Sequence, residues 1–106
     1  MKWHEKIIAA HLQVADAVGH GEKMQSERYF VWQEDGGNKI NAESRANEET
    51  ITGTTDFFTK MEFDPWADEI KKAFDDCGIA WYQNSIQYEP DTKFWHYEWV
   101  WEVTDG

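Results

Sequence analysis

The sequence predicts an α+β fold, a mainly antiparallel sheet of about four strands with two helices packed on one face. Three observations lead there. Apolar residues recur every three to four positions in a segment near the N-terminus and again after Pro65. A two-residue alternation runs through the C-terminal stretch Phe94–Val103. Turns rich in glycine, proline and acidic residues separate these segments. With 106 residues there is room for one domain, residues 1–106, and no repeat or linker divides it.

The elements follow in chain order. Trp3 to Val18 reads as an amphipathic helix, with Ile8, His11, Leu12, Ala15 and Val18 forming a stripe and Ile7 and Val14 beside it. Gly19-His20-Gly21 is expected to end it. Arg28–Gln33 (Arg-Tyr-Phe-Val-Trp-Gln) is rich in aromatic and β-branched residues and reads as a strand, closed by the turn Glu34-Asp35-Gly36-Gly37-Asn38. The polar stretch Lys39–Glu49 fits either a hairpin return or a flexible loop that orders on assembly. Thr50–Met61 reads as the next strand, in which Gly53 marks a bulge or a close backbone approach.

Asp64-Pro65-Trp66 starts a second helix: Asp64 can cap free N–H groups, and Pro65 suits the first helical position because it has no N–H to leave unpaired. Trp66, Ile70, Ala73 and Phe74 share one face, Asp68, Glu69, Lys71, Lys72 and Asp75 the outside, and Gly78 ends the helix after Asp76 or Cys77. A long hairpin follows, with arms Ile79–Tyr88 and Phe94–Val103 around the turn Glu89-Pro90-Asp91-Thr92-Lys93. Alternation places Trp95, Tyr97, Trp99, Trp101 and Val103 on one face of the second arm, and Phe94, His96, Glu98, Val100 and Glu102 on the other. The expected order is α-β-(β)-β-α-β-β, the bracketed strand being the stretch 39–49.

Composition narrows the function classes. Hydrophobic residues make up 41% of the chain and aromatics 16%, with 7 Trp, enough for a core and characteristic also of interfaces. Twenty-one acidic residues against 10 basic ones give a net charge of −11, which opposes binding to nucleic-acid backbones and anionic membranes. Cys77 is the only cysteine, so no intramolecular disulfide forms and a reducing compartment fits. Neither a signal-like apolar run nor a membrane-spanning stretch is visible, which leads to the expectation of a cytosolic protein.

Catalytic signatures are missing. There is no phosphate-binding glycine loop, no Gly-x-Ser-x-Gly, no Cys-x-x-Cys and no His-Glu-x-x-His. Thr54-Thr55-Asp56 carries hydroxyls and a carboxylate but has no histidine or lysine nearby in sequence, and threonines suit strands. Cys77 lacks an activating partner and reads as a small buried residue. His4, His11 and His20 do not have metal-ligand spacing. Glu89 and Asp91 belong to a turn, and close carboxylate pairs arise by chance among so many acids. The expectation is a non-enzyme with no cofactor and no metal. The aromatic face leaves a glycan-binding module open, and the acidity leaves open a mimic of DNA charge that occupies a DNA-binding enzyme.

One resemblance adds to this. The run Thr-Gly-Thr-Thr-Asp-Phe-Phe-Thr-Lys-Met-Glu-Phe-Asp-Pro-Trp, the helix after it, Gly-Ile-Ala-Trp-Tyr-Gln-Asn-Ser-Ile-Gln-Tyr-Glu and His-Tyr-Glu-Trp-Val-Trp-Glu-Val resemble small proteins of Gram-positive siphophages and prophages. These are encoded among the structural genes between head and tail. The element order is similar to that of tail-terminator and tail-to-head joining (tail-completion) proteins. The resemblance implies a virion structural protein: a homo-oligomeric ring, hexameric by analogy, that caps the tail tube. It implies a tail-tube protein and a head-connector protein as partners, the host cytoplasm as the place of assembly and the virion neck as the destination. Neither membrane contact nor sequence-specific nucleic-acid binding is expected. Candidate subunit-interface or lumen residues are Lys39, Asn41, Glu43, Arg45, Glu48 and Glu49 in the polar stretch, and His96, Glu98 and Glu102 on the last strand.

Overall fold

The computed structural model describes residues 2–35 and 49–105, with Glu49 and Asp105 described by their backbone alone. The class is α+β as expected. Helix α1 (Trp3–Leu12) and strands β1 (Val18–His20), β2 (Arg28–Glu34) and β3 (Glu49–Thr59) precede helix α2 (Trp66–Asp76), which strands β4 (Ala80–Glu89) and β5 (Phe94–Asp105) follow. The strands form one five-stranded sheet in the order β1-β2-β3-β5-β4. β1 runs parallel to β2, and the remaining pairs are antiparallel. The strand count therefore exceeds the expectation by one. The added strand precedes β2, and the stretch expected to hold a bracketed strand lies, up to Glu48, outside the described residues.

The first helix is shorter than its apolar pattern predicts. It ends at Leu12, and Val18, its expected last residue, pairs with β2 together with Gly19 and His20 of the expected stop, in register with Phe30–Trp32. The Phe30 amide donates to the Ala17 carbonyl and the Gly21 amide to that of Trp32, so the chain exchanges helical hydrogen bonds for sheet ones. The buried face also differs from the expected stripe. His11 and Ala15 of that stripe are buried as expected, but Ile7 and Ala10 join them, while Ile8 and Leu12 are 40% and 56% exposed. Both stripes satisfy a three-to-four-residue spacing, and tertiary partners chose between them.

Both helices lie on one face of the sheet. Their residues Ile7, Ala10, Ile70 and Phe74 pack with Phe30, Phe57, Tyr97, Trp99, Trp101 and Val103 into the main core. The alternation expected for the last strand is present: Tyr97, Trp99, Trp101 and Val103 are buried under the helices. The indole N–H of Trp99 is buried with no acceptor among the described residues, so ring area holds it in place. Gly53 sits in an unbroken register between Glu34 and Trp101, which makes it a close approach and not a bulge. A Cβ there would lie 2.4 Å from both the Gln33 carbonyl oxygen and the Trp101 ring. The sheet's register irregularity falls instead between Gln83 and Ser85 of β4.

The β3–α2 corner is held by Asp64, which is 2% exposed. Its carboxylate accepts the Trp66 amide at 2.9 Å, the Thr59 hydroxyl at 2.7 Å and a two-pronged contact from Arg28 at 2.8 and 2.6 Å. The Arg28 guanidinium lies 3.6 Å from the Trp66 ring centroid, stacked by a cation–π contact. Burial alone would raise the Asp64 pKa, but Arg28, the Trp66 amide and Thr59 together outweigh it and hold the value below normal. Pro65 takes helical dihedrals (φ −61°, ψ −20°), and Gly78 leaves the helix with φ +72°.

Asp64→Ala, which removes the cap and strands Arg28, is expected to lower the unfolding free energy by about 3 kcal/mol in urea titrations. The Asp64 contribution is present above the ordinary carboxylate value of 3.8 and is lost as pH falls through the lowered folded value. Gly53→Ala should cost about 2 kcal/mol by overpacking, because its new Cβ meets backbone on one side and a fully enclosed ring on the other.

Candidate functional site

Strand alternation turns a second set of side chains to the sheet face opposite the helices. Tyr29 and Val31 of β2 and Phe58 of β3 form a small apolar cluster there, with Ala17 and Phe94 against it. Lys23 places its ammonium 5.0 Å from the Phe58 ring. Beside this cluster the face becomes acidic. Cross-strand register sets Asp56 directly opposite Glu98, Phe58 opposite His96 and Phe94 opposite Glu89.

His96 is the centre of the arrangement. Its ring stacks on Phe58 with centroids 4.2 Å apart. Nε2 lies 2.8 Å from the Asp56 carboxylate and Nδ1 lies 3.1 Å from that of Glu89. Two carboxylates facing the two ring nitrogens favour the imidazolium, which donates from both. The Asp56 contact raises the His96 pKa, partial burial opposes it, and Glu89 adds to the rise. This cation also offsets the repulsion that Asp56 and Glu98 would otherwise exert across the strands. Glu98 accepts a hydrogen bond from the Asn84 side chain at 3.1 Å, and Glu102 is exposed further along the same face. Burial first, and then the charges of Glu89 and Asp56, push the Tyr29 phenol up.

A second polar assembly lies under the helices. His11 and Thr55 are fully buried. His11 Nδ1–H donates to the Ile7 carbonyl at 2.7 Å, so Nε2 accepts the Thr55 hydroxyl at 2.9 Å. The Thr55 oxygen accepts the Trp101 indole N–H at 3.0 Å. A threonine hydroxyl paired with a histidine has the layout of an activated nucleophile. Here the side-chain polar atoms of His11, Thr55 and Trp101 are all paired and the three side chains are buried, so the arrangement works as a structural link. Burial lowers the His11 pKa to about 4. The Cys77 thiol is pushed up by burial and by Asp76, away from the reactive thiolate.

The candidate residues divide in three. Lys39, Asn41, Glu43, Arg45 and Glu48 lie outside the described residues. Glu49 opens β3, its Cα paired with that of Asp105. His96, Glu98 and Glu102 share the face away from the helices, as alternation predicts, and His96 is drawn into a cluster whose other members were not singled out. In the sequence Asp56 belongs to a threonine run and Glu89 to a turn, where an acid is ordinary. Their meeting depends on the β3–β5 and β4–β5 registers, which no local pattern specifies. Alternation from Thr55 and Phe57 does put Asp56 on the outer face, and that was the available signal. Phe63 was missed as well: it is 84% exposed and has φ +58°, a left-handed backbone that is strained for a phenylalanine. No group of three or more metal-ligating side chains with metal-binding geometry occurs among the described residues.

Two histidines with opposite shifts predict a stability maximum near neutral pH. The folded pKa of His96 is raised, so its contribution is complete below about 6.5 and is lost as pH rises through the folded value. The folded pKa of His11 is lowered, so the unfolded chain binds a proton first and stability falls from pH 6.5 towards about 4, by about 1.4 kcal/mol per unit. Urea midpoints measured from pH 5 to 9 should show both limbs, and His96→Gln should flatten the alkaline limb by about 1 kcal/mol while leaving the acid one.

No protein-family model matches the chain, and no curated protein sequence matches it.

Proposed function

We propose that the protein is a structural subunit of a phage or prophage head–tail neck, a tail-terminator or tail-to-head joining protein that caps the tail tube as a homo-oligomeric ring. The observation that supports this reading best is the one-sided sheet. Both helices pack on one face, and the other face carries His96 between Asp56 and Glu89, with Glu98 and Glu102 further along β5. In a ring whose open sheet faces inward, such a surface makes an acidic lumen that repels the DNA backbone and lets it slide. The net charge of −11 has the same sense. Strained, exposed Phe63 on the β3–α2 turn is a suitable apolar anchor for the tube or connector partner. Catalysis is not part of the reading, since the Thr55–His11 pair is enclosed and the Cys77 thiol is held protonated.

Light scattering and negative-stain microscopy of the purified protein should show rings whose population rises with concentration, and the rings should stop elongation of purified tail tubes. A protein that stays monomeric at every concentration and leaves the tubes uncapped would sink the proposal. Charge reversal on the open face, Glu98→Lys with Glu102→Lys, should leave ring formation intact and give the rings DNA retention on a native gel. The acidic face also suits a mimic of DNA charge, and salt-sensitive inhibition of a DNA-binding enzyme by the monomer would favour that reading instead.

A further inference from the structure

The two edges of the sheet differ in a way that bears on how copies meet. At one edge lies β4, whose Ile86 and Tyr88 are 49% and 46% exposed. Register with Tyr97 and Trp95 puts both residues on the helix side of the sheet, beyond the helices themselves. An exposed edge strand is a template for pairing, and proteins usually protect it with charge or proline. Between Ala80 and Tyr88 this strand has neither, and its only irregularity is the register shift between Gln83 and Ser85.

At the opposite edge lies β1, and there the outward side of α1 and the sheet enclose a groove of about 260 Å³ lined by Ile8, Leu12, Asp16, Val18, His20 and Trp32. Val18 and His20 register with Phe30 and Trp32, so this groove too is on the helix side of the sheet. His20 stacks on Trp32 at 3.8 Å and bonds Glu34 at 2.8 Å, so the nearest carboxylate of β2 is already engaged.

We infer that β4 of one copy docks head to tail into the α1–β1 groove of a second copy. This rests on the assembly reading above and gives that reading its contact. Charge selects the occupant. In a chain with 29% charged residues and a net charge of −11, two copies repel each other over most of their surfaces. The strand stretch Ala80–Tyr88 contains no Asp, Glu, Lys or Arg, and Asp16 is the one carboxylate that lines the groove, so like-charged copies approach with little repulsion where these two surfaces meet. The contact uses two different surfaces at opposite ends of the sheet, which makes it heterologous, and repetition closes it into a ring or continues it as a filament.

Two blocked variants test this. Ile8→Glu with Leu12→Glu closes the groove, and Ile86→Glu with Tyr88→Glu spoils the strand. All four positions are exposed by 40% or more, so each variant should keep its fold by circular dichroism. At a concentration where the unaltered chain assembles, each variant alone should be monomeric in sedimentation. Mixed one to one, they retain one good groove and one good strand between them and should form a dimer of twice the 12.5 kDa chain mass and nothing larger. Should the strand variant fail to fold, Leu12→Cys and Ile86→Cys, made separately in a Cys77→Ser background, should yield a disulfide-linked dimer only when mixed. Normal assembly by either blocked variant, or a mixture that stays monomeric, overturns the inferred contact while leaving the ring reading in place. An unaltered chain that never associates overturns both.

Discussion

The hydroxyl of Thr55 sits where three parts of the fold meet. It donates to His11 of α1, accepts from Trp101 of β5 and belongs to β3, in the middle of the sheet. Removing any one partner would leave a buried polar group unpaired, which costs about 1–3 kcal/mol. This link sets the rotation of α1. With His11 bound to Thr55 and to the Ile7 carbonyl, Ile7 and Ala10 turn to the core and Ile8 and Leu12 turn away. The outward groove exists because the inward bond is satisfied.

From the same constraint follows the contrast between the two faces of the sheet. Side chains alternate along β3 and β5, so the residues flanking Thr55 and Trp101 are committed to the opposite side. Asp56 and Glu102 are among them, and the same alternation carries His96 and Glu98, earlier in β5, to that side. One face is a dry aromatic core with an enclosed, neutral histidine. The other is a hydrated acidic surface with a charged one. The two histidines carry the same side chain and acquire opposite protonation behaviour. His11 is surrounded by apolar rings and offered one carbonyl and one hydroxyl, whereas His96 is offered two carboxylates and partial access to water.

Much of this was legible in particular residues. The row Tyr97-Trp99-Trp101-Val103 announced its buried face through its period, and Asp64-Pro65 announced the start of α2. Gly53 signalled a tight place, although whether it was a bulge or a close approach depended on Trp101, which reaches it across the sheet. Alternation put His96, Glu98 and Glu102 on the outer face correctly. It gave no hint that Asp56 and Glu89 would close on His96 from two other strands, because those contacts join residues that are distant in sequence or separated by a turn. The N-terminal helix shows the limit most clearly: two apolar stripes fit the same spacing, and Val18 fits the end of a helix, and Gly19-His20 its stop, until a strand is there to pair with them.

By itself the sequence determined the α+β class, the positions of α2, of β2 and β3 and of the two hairpin arms, and the excess of negative charge, since period, capping residues and composition are properties of neighbouring residues. Tertiary structure alone decided which side of α1 faces inward, that the chain after it becomes an edge strand, and which carboxylates surround His96. These outcomes rest on hydrogen bonds and packing between segments far apart in the chain. Their energies arise only once the strands have taken their register.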